Sequence, residues 1–127
     1  MLTPAVEVGL GHPLRAALAA RMARLNGNET LVGYYRERLS RMDPSEALRL
    51  IADGGHPAGE DPRLRAILRH VDFITLAPRA CTKSDTLRLT DAGLGVPEVV
   101  ALAELIGFVN FEVRIVATLD LLKETKP

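Results

Sequence analysis

Cysteine is nearly absent from this 127-residue chain: Cys81 stands alone, so no disulfide can close within one copy and no thiolate cluster can hold a metal inside it. Net charge is absent too. Sixteen Lys and Arg offset sixteen Asp and Glu, and each half of the chain is close to neutral, so no broad field draws it to nucleic acid or an anionic membrane. His12, His56 and His70 have no short ligand spacing and no HExxH is present, so neither a metal nor a cofactor is expected. There is no P-loop, no GxGxxG and no GxSxG, and Gly54, Gly55 and Gly59 follow no predicted strand. The first twenty residues lack a charged segment ahead of their apolar ones and are interrupted by Glu7 and Pro13, so they do not read as a secretory signal, and a cytoplasmic setting is expected. Sustained alternation of apolar and polar residues is missing, which argues against a sheet.

What is there is an ordinary globular mixture, 47% hydrophobic and 25% charged, punctuated into helices by Pro and Gly. Pro13 suits a helix start, and Leu14, Leu18, Met22 and Leu25 follow on one face until Asn26-Gly27 ends the run. Leu31, Tyr35, Leu39 and Met42 define a second helix, and Asp43-Pro44 reads as the cap of a short third one through Ala52. Residues 53–60, DGGHPAGE, are the best internal linker. The flanking segments, 13–52 and 61–122, are each too small to be comfortably stable alone, so residues 1–127 are expected to share one core. Leu64, Ile67, Leu68, Val71, Phe73 and Ile74 line a fourth helix, and Thr82 to Asp85, close to a capping box, opens a fifth that stops at Gly93. The expectation is an all-α fold of roughly six helices.

The segment from Gly95 to Leu122 is the most informative. It is apolar around most of its circumference, interrupted by Glu104, Asn110, Glu112, Arg114 and Asp120, whereas a surface helix shows an apolar stripe about 100° wide. Its charges are costly in hydrocarbon, so it reads as a core helix with no membrane role, packed within its own subunit and against a second copy.

Two stretches carry a family resemblance. RLRAILRHVDFITLAPRACTKSDTLRLTDAGLGVPEVVALAELIGFVNFEVRIVATLDLL resembles the distal part of the alkylhydroperoxidase D-like, carboxymuconolactone decarboxylase-like superfamily: a helix and loop, a capped helix ending in AGL, and a long apolar helix bearing FVNF. LRAALAARMARLNGNETLVGYYRERL is similar to the helix pair that carries the active site there. The resemblance implies an all-α subunit assembling into dimers, trimers or hexamers. Peroxidase members hold a Cys-x-x-Cys at a helix start, a His four residues later and a Glu on the preceding helix. On that pattern Asn28 and Leu31 occupy the cysteine positions, Tyr35 the histidine position, and the Glu position falls near Ala16. None of the four groups is present, and without a thiolate and its resolving thiol the dithiol cycle has no chemistry to run.

The remaining candidates are Cys81 as a lone thiol, and a pocket built from Tyr35, His70, Glu104, Asn110 and Arg114. Cys81 also reads as a small packing residue in a Pro-containing loop. His70 reads equally as a hydrogen-bonded core residue, and the polar groups of the long helix as pairs across a subunit contact. His12 reads as a helix-start residue and His56 as a solvated loop residue. The arginines at 15, 21, 24, 36, 38 and 41 read as a solvated face. Two functional readings result: a non-catalytic or repurposed homo-oligomer holding a small apolar or carboxylic ligand, and an enzyme. The enzyme would be either a peroxidase-related antioxidant acting through Cys81 or an acid–base catalyst on a small carboxylic or lactone substrate, using His70 with Glu104 or Arg114.

Overall fold

The computed structural model describes residues 11–57, 62–77 and 83–124. All regular structure in these residues is helical: α1 is His12–Leu25, α2 Glu29–Ser40, α3 Glu46–Ala52, α4 Pro62–Leu76, α5 Lys83–Asp91 and α6 Val96–Glu124. The expected all-α architecture of six helices is therefore observed. Cys81 and Thr82, with the capping role expected of Thr82, lie outside the described residues.

Helix α1 is the hub, touching α2, α3, α4 and α6. Its alanines explain this, because Ala16, Ala17, Ala19, Ala20 and Ala23 are all buried and let neighbours approach on several sides at once. The stripe expected through Leu14, Leu18, Met22 and Leu25 is thus only part of a nearly all-round buried surface running from Arg15 to Ala23. Pro13 sits in the first turn, where its missing N–H costs no hydrogen bond. Gly27, at φ +68°, makes the reversal into α2 in a conformation that glycine adopts freely. Asn28 then caps α2, its side-chain oxygen accepting from the Leu31 N–H at 3.1 Å.

Three sequence readings are corrected here. The cap of α3 is Ser45, which accepts from the Leu48 N–H at 3.3 Å; Asp43 instead adopts φ +50° in the preceding turn. Phe73 does not join the buried face of α4 formed by Ile67, Leu68 and Val71 but is partly exposed. The arginines of α1 and α2 are not one solvated face: Arg24, Arg36 and Arg41 are exposed, whereas Arg15 and Arg21 are buried.

Helix α6 buries Ala101, Leu102, Leu105, Ile106 and Val109 against the rest of the subunit. The opposite side is open, with Val96, Val100, Phe111, Ile115 and Leu122 all exposed. Among the described residues, no helix is long and apolar enough to cross a membrane.

Candidate functional site

The positions equivalent to the peroxidase motif are occupied by structural contacts. Asn28 is a helix cap and also donates from Nδ2 to the Val113 carbonyl at 3.5 Å, tying the start of α2 to α6. Leu31 is buried in the core. Tyr35 is fully buried, meets the ring of Tyr34 edge-on at 5.0 Å, and donates its phenol hydrogen to Glu112 on α6. Burial, followed by that bond to a carboxylate, pushes the phenol far above its ordinary range, so Tyr35 neither gains nor loses a proton near neutral pH. The locus holds α2 against α6 and lacks the thiol pair and imidazole of the peroxidase pattern.

The five residues of the expected pocket do not converge as a set. His70, Asn110 and Arg114 line one groove of about 610 Å³ beside α6, together with Val100, Gly107 and Phe111. Tyr35 is sequestered on Glu112, and Glu104 is exposed on α6 outside the lining of that groove.

His70 faces a second cavity as well. Between α4 and α5 lies a cleft of about 510 Å³ lined by Ala66, Arg69, His70, Phe73, Asp85, Arg88 and Leu89. Local helical spacing builds it. Arg69 and Phe73 are one turn apart on α4, and Asp85, Arg88 and Leu89 share a side of α5. Arg88 Nη1 stands 3.9 Å from Asp85 Oδ1, while Arg69 forms no ion pair among the described residues. Burial lowers the His70 pKa, an effect that Asp85 partly opposes, so the imidazole is neutral at neutral pH. Among the described residues, the fixed charges lining the cleft are thus two guanidinium groups and one carboxylate, set against apolar walls from Ala66, Phe73 and Leu89. Such a cleft suits a small apolar anion: the walls take its hydrocarbon and the excess cation its charge. Sequence reasoning singled out His70 but missed Arg69, Phe73 and Arg88, whose pattern is that of any amphipathic surface helix.

A third locus is structural. Arg21, 2% exposed, grips Asp72 with Nε–Oδ1 at 2.6 Å and Nη2–Oδ2 at 2.8 Å. The same guanidinium donates from Nη1 to the carbonyls of Ile51 at 3.2 Å and Gly55 at 2.6 Å, and its Nη2 lies 3.3 Å from His56 Nε2. One side chain thereby joins α1, the end of α3, the loop after it and α4. Four of the five guanidinium N–H donors are thereby taken up by oxygen acceptors.

Among the described residues, no group of three or more His, Cys, Asp or Glu side chains is arranged to hold a metal ion. No family model, curated protein or solved structure matches the chain.

Proposed function

We propose that this chain is a non-catalytic, self-associating relative of the alkylhydroperoxidase D-like, carboxymuconolactone decarboxylase-like superfamily that binds a small apolar carboxylate in the α4–α5 cleft. The observation that carries this reading is the pairing of Arg69 and Arg88 with the Phe73 and Leu89 walls beside a neutral His70. Loss of the Cys pair, with Asn28, Leu31 and Tyr35 committed to capping and packing, supports a binding role over dithiol turnover.

Benzoate, with benzyl alcohol as its uncharged counterpart, is a suitable probe pair for calorimetry. Benzoate is expected to bind at least about tenfold more tightly than the alcohol, and Arg69→Gln to remove most of that difference, since hydrogen bonds to charged groups contribute about 1.5–3 kcal/mol. Equal affinities, or no binding of either, overturn the reading.

The neutral His70 imidazole at the same cleft favours one alternative, acid–base catalysis on a bound carboxylate or lactone. Hydrolysis of a small aromatic lactone by the protein, abolished in His70→Gln, would establish it. Consumption of an organic hydroperoxide with thiol reductant, lost in Cys81→Ser, would establish peroxidase action through Cys81 and refute the non-catalytic reading.

A further inference from the structure

Among the described residues, the outer face of α6 presents a row of exposed apolar side chains. Val96, Val100, Gly107, Phe111, Ile115 and Leu122 fall on the side of the helix opposite the buried Leu102, Leu105 and Val109. Phe111 is 61% exposed, and a helix surface this apolar marks an interaction site. Two charges stand on the same face, Glu104 and Arg114, and neither forms an ion pair among the described residues.

The order of residues along this face selects the occupant. We infer that α6 is a self-pairing surface, on which a second copy of the chain lays its own α6 antiparallel about a two-fold axis at the level of residue 109. This register places Gly107 opposite the partner's Phe111, Ala103 opposite the partner's Ile115, and Val96 opposite the partner's Leu122. Each contact sets a small or medium side chain against a large apolar one. It also places Glu104 opposite the partner's Arg114, and the symmetry repeats that pair at the other end. A parallel two-fold pairing would instead set Arg114 on the partner's Arg114 and Glu104 on the partner's Glu104, which like-charge repulsion disfavours. Gly107 is the point of closest approach: a Cβ built there meets nothing within 4 Å in the subunit, so the space above it is open to the partner's phenyl ring. The groove lined by His70, Asn110 and Arg114 is then one wall of the contact and is completed by the second copy.

This assignment rests on the self-association proposed above, and the two fail separately. Sedimentation equilibrium on the full chain is expected to give twice the 13.8 kDa subunit mass or an even multiple of it. Gly107→Leu improves helix propensity and starts from a Cβ position with nothing within 4 Å, so at dilution its melting temperature should be no lower than that of wild type; its dimer dissociation constant should rise at least about tenfold. Glu104→Arg and Arg114→Glu should each weaken the dimer by about tenfold or more, and the double exchange should restore it to within about threefold of wild type. A monomeric wild type overturns both self-association and register. A multimer indifferent to Gly107→Leu, or one that the charge exchange does not rescue, overturns the register alone.

Discussion

Arg21 on α1 and Asp72 on α4 form a two-pronged ion pair 51 residues apart in sequence, and the same arginine closes two backbone carbonyls of the intervening segment. The planar guanidinium fits this set of acceptors, whereas a lysine ammonium is a compact point charge that cannot meet both carboxylate oxygens and both carbonyls. Arg21→Lys is therefore expected to destabilise the fold by about 2–4 kcal/mol, in the lower part of that range because Asp72 is 27% exposed and water replaces part of the lost contact. Urea unfolding monitored by circular dichroism measures it. A variant within about 0.5 kcal/mol of wild type would mean that the network contributes little beyond surface ion pairing.

The sequence carried the helical skeleton because helix boundaries are local. Gly27 and Gly93 both take positive φ at helix ends, and Asn28 is a side-chain cap of the kind that residue type signals. Asp43 and Ser45 show where local signals compete: either residue can cap a helix, and only the geometry of the turn decides that Ser45 does. Arg21 was illegible for a different reason. Its burial depends on Asp72 and on two carbonyl groups brought from elsewhere in the chain, and nothing in AALAARMARL marks it apart from the exposed Arg24. The α4–α5 cleft was half legible: His70 stood out as a rare residue on an apolar helix, but Arg69, Phe73 and Arg88 acquire meaning only when two helices face each other. The near-complete apolar circumference of α6 does not by itself tell which side faces the core; the fold buries Leu102, Leu105 and Val109 and leaves Phe111, Ile115 and Leu122 exposed.

His70 gives the protein a pH dependence of defined sign. Burial holds its folded-state pKa below the ordinary value of 6.5, with Asp85 acting weakly in the opposite direction and Arg69 and Arg88 lining the same cleft. Between the lowered folded value and 6.5 the unfolded chain binds more protons than the folded one, so this residue's contribution to stability is complete above that window and is lost as the pH falls through it. His70→Gln should flatten the fall in unfolding free energy on acidification below about pH 6.5 while leaving the alkaline side unchanged. An identical acid limb in wild type and variant would show that other groups control it.

Val109 and Phe111 stand two residues apart on α6 yet should respond oppositely to polar substitution. Val109 is fully buried against the core of its own subunit, whereas Phe111 is largely exposed beside Gly107. A carboxylate at position 109 has no cationic partner in the surrounding cluster of Leu102, Leu105 and Ile106, and an unpaired buried charge costs several kcal/mol, a large part of the 5–15 kcal/mol that holds a typical domain together. Val109→Glu should therefore unfold the chain or sharply lower its melting temperature even at concentrations where no multimer exists. Phe111→Ser should leave the dilute subunit folded, because the ring it removes makes few contacts there, and should act on self-association instead. Differential scanning calorimetry across a dilution series separates the two effects. A folded, thermally unchanged Val109→Glu would place that side of α6 in water and overturn the assignment of its inner and outer faces.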